Sequence, residues 1–299
     1  MVVLVTGANG QLGQSLQFIA PIYPDIHFVF YSSSELDITN EITCRDEFFR
    51  VKPNYCINAA AYTAVDKAES EPEKAHLINV VGAKNLAEVC KTHNTILLHI
   101  STDFVFDGDF SKLSPRAQSR GYSEDDIPNP TGVYGQTKLE GEIAIQHIWD
   151  KHFIIRTSWV YSQFGNNFMK TMLRLASERD SVSVVNDQIG TPTNAVDLAN
   201  TLVKIIQHCQ TELVEALQPI TDNFGVYNFS NEGQCSWYDF AKKIFEINKI
   251  TINLFPIPTS SFPTPAKRPS FSVLDKTKIK NVFGIEINSW EESLKTFSV

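Results

Sequence analysis

Short apolar runs and amphipathic stretches alternate through the first half of the chain. Residues 2–6, 27–31, 55–58, 95–100 and 153–156 form apolar runs bounded by polar or turn-forming residues, as buried strands do. Between them apolar side chains recur at helical spacing, with Leu12, Leu16 and Ile19 at i, i+4 and i+7 and a long stretch over 75–93. Apolar strands alternating with helices predict an α/β fold, a doubly wound parallel sheet with right-handed crossovers. The second half is less regular. It predicts helices over 167–178, 195–209 and 237–248 and strands over 181–185 and 226–229, and five prolines break up residues 256–269 before a C-terminal helix. Residues 108–131, rich in Ser, Asp, Pro and Gly, and residues 210–224 read as long loops, the lengths at which lids and binding loops occur.

Composition narrows the function. Apolar residues make up 42% and charged residues 20% of 299 residues, as in ordinary globular proteins. A net charge of −8 argues against nucleic acid or an anionic membrane as partner, both of which require a basic face. An anionic small molecule would need a local cationic cluster. Cys44, Cys56, Cys90, Cys209 and Cys235 contain no C-x-x-C pair and read as reduced thiols of a cytoplasmic protein. No metal-ligand spacing is found among the seven His. The first strand starts at Val2 with no charged, cleavable leader before it, and no apolar run approaches the length of a membrane span.

The chemistry begins at Gly7-Ala8-Asn9-Gly10-Gln11-Leu12-Gly13, between the first strand and the first helix. Gly7 and Gly10 allow a tight turn and close approach to a pyrophosphate, and Gly13 allows close helix–strand packing. This predicts a Rossmann-type dinucleotide-binding domain over 1–156, with segments near 180–230 returning to it. A smaller mixed α/β substrate-binding domain would cover 157–299. The end of the second strand reads Tyr31-Ser32-Ser33-Ser34, without a carboxylate for the ribose. That favours NADPH over NADH, with Asp37 placed for the adenine edge. Asn58-Ala59-Ala60-Ala61 and Ser101-Thr102-Asp103 end two further strands, at the carboxyl edge where open α/β sheets bind ligands. Thr102 there could polarise a carbonyl or merely cap a turn.

A Tyr and a Lys four apart share one face of a helix, and a nearby ammonium lowers a phenol's pKa. That pairing serves carbonyl reduction, in which hydride reaches carbon and a proton reaches oxygen. The spacing occurs twice, at Tyr134/Lys138 and at Tyr238/Lys242. The first follows Asn129-Pro130, a helix start, downstream of the glycine turn. The second lies in an amphipathic helix far from any cofactor signature. Tyr134 and Lys138 are therefore the functional pair.

These motifs, with residues 58–69, 79–83, 101–108, 156–161, 165–168, 186–193 and 263–269, resemble those of the extended short-chain dehydrogenase/reductases. Within them the chain is similar to the dTDP-4-dehydrorhamnose reductases, over nearly its whole length. The resemblance implies reduction of the C4 ketone of a dTDP-4-dehydro-6-deoxyhexose. Tyr134 would be proton donor, Lys138 would anchor the ribose and depress the Tyr134 pKa, and Thr102 would bond the carbonyl. The dinucleotide would lie against Gly7, Asn9, Gly10, Gln11, Leu12, Asp37, Ile38, Ala59, Ala60, Ala61, Thr63 and Asn79. The sugar nucleotide would meet Asp103, Phe106, Trp159, Asn167 and Gln188, with Arg268 on the diphosphate. Acidic residues that hold Mg²⁺ at a dimer interface in some members align with Ser15 and Val196, which leaves Mg²⁺ doubtful and either a monomer or a homodimer open. The loop over 108–122 is long and is expected to be a mobile lid. A sister reductase giving another C4 epimer, and a non-catalytic NAD(P)-binding regulatory subunit like that of animal methionine adenosyltransferase, fit the same pattern.

Overall fold

A computed structural model describes residues 1–215 and 223–297. Five strands of the first half lie in one parallel sheet: β1 (Val2–Thr6), β2 (His27–Tyr31), β3 (Tyr55–Asn58), β4 (Ile96–Thr102) and β5 (His152–Thr157). In the second half follow β6 (Val160–Tyr161), β7 (Ser181–Val185), β8 (Ile189–Gly190), β9 (Thr193–Asn194), β10 (Gly225–Asn228), β11 (Cys235–Ser236) and β12 (Asn253–Ile257). The chain returns to the main sheet at β10, giving the order β10-β5-β4-β3-β1-β2 with every pair parallel. This is a Rossmann-type doubly wound sheet.

Strands β3 and β5 are buried along their whole length, and β1 is buried from Val3 to Thr6. Helices cover both faces of a parallel sheet. On one face the helix Ala195–Glu215 packs its Leu198, Leu202 and Ile206 against Leu12, Leu16 and Ile19 of the helix Gln11–Ile19. On the other, Leu86, Ala87 and Cys90 of the helix Gly82–His93 meet Leu4, Cys56, Leu97 and Ile145. A separate cluster around Tyr161, Phe240, Ile244 and Trp290 carries the second half, beside the small pairs β6/β9, β7/β12 and β8/β11. Tyr238 packs partly buried against that cluster, and Lys242 is exposed.

Three expectations change. The helical stretch over 75–93 contains a π-helical turn, Leu77–Val81, between the helices Pro72–His76 and Gly82–His93; such turns often lie at functional sites. The loop expected over 210–224 continues the helix as far as Glu215, and residues 216–222 lie outside the described residues. The segment over 108–122, expected as a loop, contains the helix Pro115–Arg120, capped by Ser114. Tyr122 pairs with the 273–275 segment through Tyr122 N to Val273 O (2.8 Å) and Asp275 N to Tyr122 O (2.7 Å). Arg116 ties the segment to Asp275 (3.2 Å). These bonds and the buried Tyr122 anchor its C-terminal end. Among the described residues no helix is long and apolar enough to cross a membrane.

Candidate active site

The strand order reverses between β1 and β3, which places a crevice at the carboxyl ends of those strands. Gly7 turns there with φ +71°, and a Cβ on it would stand 2.6 Å from the Ala59 carbonyl carbon. Only glycine lets the turn after β1 lie this close to the one after β3. The helix Gln11–Ile19 begins at Gly10 with no side-chain cap, so its first-turn N–H groups point at the crevice unclaimed by any side chain. A cavity of about 620 Å³ opens here, a size suited to an organic ligand. Of the candidate residues, Asn9, Gly10, Gln11, Leu12, Ala59, Ala61, Thr63, Thr102, Asp103, Tyr134, Lys138, Trp159 and Asn167 line it. The glycine turn, the small side chains after β3 and the free helix start fit a dinucleotide.

The helix Val133–Ile148 carries Tyr134 and Lys138 and is capped at a distance, with Val133 N donating to Glu69 Oε1 (2.9 Å). Tyr134 is half-buried, its ring edge-on to Phe104 (5.6 Å). Burial pushes its phenol up to about 12, the Asp103 carboxylate adds to this, and the Thr102 hydroxyl opposes it. Lys138 is buried and turned toward β4, where it donates to Ile100 O (2.6 Å) and stands 3.2 Å from His99 Nε2. Burial brings its amine down to about 8 against the pull of Glu142. The expectation that Lys138 depresses the Tyr134 pKa is thus corrected: desolvation outweighs any help from a lysine directed at the strand.

Thr102 both caps and faces the cavity. Its hydroxyl accepts from Phe104 N (3.2 Å) and donates to Asp103 Oδ1 (3.1 Å). The other carboxylate oxygen of Asp103 is buried without a hydrogen-bond partner among the described residues, and burial raises this acid to about 6. Across the cavity, Gln11 Oε1 accepts from Asn167 Nδ2 (2.9 Å) and Ser162 Oγ (3.1 Å), which joins the first helix to the second half. Trp159 sits in a left-handed conformation (φ 47°), stacked on Trp237 at 3.6 Å. Trp237, which the sequence did not single out, thus supports a cavity wall.

Over residues 1–298 the chain matches the model of the RmlD substrate binding domain. The chain belongs to the RmlD family. A dTDP-4-dehydrorhamnose reductase of Aggregatibacter actinomycetemcomitans is 43% identical, over 98% of this chain and 97% of that protein. A crystal structure of a dTDP-4-dehydrorhamnose reductase from Clostridium acetobutylicum superposes with a TM-score of 0.89 at 40% identity, covering 99% of this chain and 98% of that one. The Bacillus anthracis enzyme of the same name, solved in complex with NADP, gives 0.88 at 39% identity, with 99% and 98% coverage. This RmlD-family chain is accordingly one of the extended short-chain dehydrogenase/reductases.

Other candidates in this RmlD-family chain stand outside the cavity wall. Asn79 is a brace: it accepts from Tyr62 N (2.9 Å) and donates to Tyr62 O (3.2 Å) and Thr137 Oγ1 (3.1 Å), fixing the turn that presents Ala61 and Thr63. Ala60 N donates to Asn58 Oδ1 (3.1 Å). Ile38 is core, with Asn85 Nδ2 on its carbonyl (3.0 Å), and exposed Asp37 accepts from Thr39 in a local turn. Phe106 is buried, stacked on Tyr122 (4.1 Å) under the Arg156 guanidinium (5.2 Å). Gln188 donates to Thr259 Oγ1 (3.0 Å). Arg268 forms a bidentate pair with Asp66 (2.8 and 2.7 Å), so its charge is already matched. The expectation that no carboxylate stands at the end of β2 is corrected by Glu35, whose Oε2 accepts from Ser32 N (2.8 Å) and Ser32 Oγ (2.7 Å). Those bonds occupy the Ser32 hydroxyl and place a negative charge at the end of β2.

Proposed function

We propose that this chain is a dTDP-4-dehydrorhamnose reductase, which reduces the C4 ketone of dTDP-4-dehydro-6-deoxy-L-mannose to give dTDP-L-rhamnose. The observation that carries this reading is one cavity wall holding Thr102, Tyr134 and Lys138 beside the Gly7–Gly10 turn. It is supported by full-length similarity to proteins of that name. NADPH or NADH, when bound, supplies the hydride. The dinucleotide belongs to the half over 1–156 with its returning strand, and the sugar nucleotide to the half over 157–299.

Within that frame the side chains have distinct tasks. Tyr134, protonated throughout the neutral range, gives its phenolic proton to the C4 oxygen as negative charge develops there. Thr102 exchanges its bond to Asp103 for one to the same oxygen. Lys138 anchors the ribose and lies one helical turn behind the phenol. Trp159 forms the wall facing the sugar. The test is Tyr134→Phe, assayed with dTDP-4-keto-6-deoxyglucose, a 3,5-epimerase and either coenzyme. Turnover should fall by about 10²- to 10⁴-fold while dinucleotide binding persists, and NMR of the wild-type product should show the rhamnose configuration. Surviving turnover would remove Tyr134 as proton donor.

A further inference from the structure

Behind Lys138 runs a chain of side chains that are each almost wholly buried: Thr6, Asn58 and His99. Thr6 Oγ1 donates to Asn58 Oδ1 (2.7 Å), Asn58 Nδ2 stands 2.9 Å from His99 Nδ1, and His99 Nε2 stands 3.2 Å from Lys138 Nζ. The backbone N–H of Ala60 also points at Asn58 Oδ1 (3.1 Å). An N–H can only donate, so Oδ1 is the acceptor end of this amide and Nδ2 is the donor end. His99 Nδ1 must therefore accept. In a neutral imidazole the ring proton is then on Nε2 and faces Lys138. An ammonium at Nζ would set one N–H against another there, whereas an amine offers a lone pair to Nε2–H and still donates to Ile100 O (2.6 Å).

We infer that the Thr6–Asn58–His99 chain is a positioning device that fixes the His99 proton on Nε2 and thereby makes the Lys138 ammonium easier to deprotonate. The other groups around this pair balance in the same direction. Glu142, on the same helix, favours the ammonium, but its carboxylate is taken up by Arg156 of β5 (2.7 Å) and Ser101 of β4 (2.5 Å). Asp103 faces Tyr134. His152 of β5 and Lys138 both oppose a charge on His99, which burial drives well below the usual imidazole range. The N–H facing Nζ acts in the same direction as the burial that brings the Lys138 amine down to about 8. The role assigned to Lys138 rests on the reductase reading; its charge state does not.

The test is a pH titration of the full-length protein labelled with ¹³Cε-lysine, the Lys138 signal being the one lost in Lys138→Arg. Nitrogen spectra of the imidazoles report the His99 tautomer. Lys138 should titrate below every exposed lysine, near pH 8, with His99 as Nε2–H throughout. Asn58→Asp keeps the acceptor for Ala60 N–H but accepts from Nδ1–H, which turns Nε2 into an acceptor for the ammonium. His99→Gln can offer Oε1 to the same ammonium. Both should raise the Lys138 midpoint by at least one pH unit, a tenfold tighter hold on the proton, and carry the alkaline limb of turnover with it. A wild-type Lys138 that titrates with the exposed lysines, a His99 proton on Nδ1, or an Asn58→Asp midpoint that stays in place would overturn the inference. No turnover of the dTDP-ketosugar with the titration intact would defeat the substrate reading alone; ordinary titration in an active enzyme would defeat this inference alone.

Discussion

Glu142→Gln should cost more stability than most single substitutions, and the reason is visible around one buried ion pair. Glu142 is fully buried and Arg156 nearly so. The carboxylate receives Arg156 Nε (3.0 Å), Arg156 Nη2 (2.7 Å) and Ser101 Oγ (2.5 Å). Glutamine keeps one acceptor but turns an N–H₂ toward the guanidinium, so one N–H faces another and the Arg156 charge is left without a counter-ion. Breaking a buried pair from one side costs about 3–5 kcal/mol. The Phe106 ring under the guanidinium (5.2 Å) is present in both proteins and cancels, so the loss should be at least the lower end, about 3 kcal/mol. At roughly 2 °C per kcal/mol for a chain of this size, Tm should fall by about 6 °C. Urea unfolding followed by circular dichroism gives the free energy directly. Glu142→Leu/Arg156→Met, which removes both charges, should lie within about 1 kcal/mol of the wild type. A single variant losing under about 1 kcal/mol, or a double variant as unstable as the sum of its singles, would refute the reasoning.

Three further outcomes follow from the site. Asp103 has a folded-state pKa of about 6 against an ordinary 3.8, so the folded protein holds this proton more tightly than the unfolded chain and loses stability as pH rises through that window. Asp103→Asn should therefore be more stable than wild type at pH 8, by at most about 3 kcal/mol, and no more stable at pH 3.5; equal Tm differences at the two pH values would contradict this. Glu35→Gln removes the carboxylate at the end of β2 and should raise the NADPH-to-NADH ratio of kcat/KM several-fold; an unchanged ratio would place the 2′-phosphate elsewhere. Gly190→Ala puts a methyl 2.6 Å from Trp159 Cε2, so it should unseat Trp159 from Trp237, change tryptophan fluorescence and raise the sugar-nucleotide KM by about tenfold; an unaltered KM would take Trp159 out of the sugar pocket.

What the sequence disclosed and what it concealed divide along physical lines. Strands β1, β2 and β3 end where their apolar runs end; for β1 and β3 this is because burial on both faces makes a parallel strand a continuous apolar run. The glycine turn and the Tyr134/Lys138 helix were legible because glycine sterics and helical periodicity act over a few residues. Direction and partner choice were not. Helical spacing puts Lys138 on the face of Tyr134, yet whether its amine reaches the phenol or the β4 backbone depends on His99, 39 residues away. Arg268 looks like a free cation for a diphosphate until the fold brings Asp66 to it from 202 positions earlier. Glu35 escaped notice because it stands four residues beyond β2, and only the turn folds it back onto Ser32. The helix within 108–122 did leave a local sign, Ser114 before Pro115, the N-cap and first-turn residues of a helix start, obscured by the loop-like composition around it. His99 left another: a polar ring inside Ile96-Leu97-Leu98-His99-Ile100. A buried imidazole within an apolar strand must find partners for both nitrogens, and here they are Asn58 and Lys138. The residue that most resembles a defect in the strand pattern is therefore the one that reaches Lys138 from the sheet.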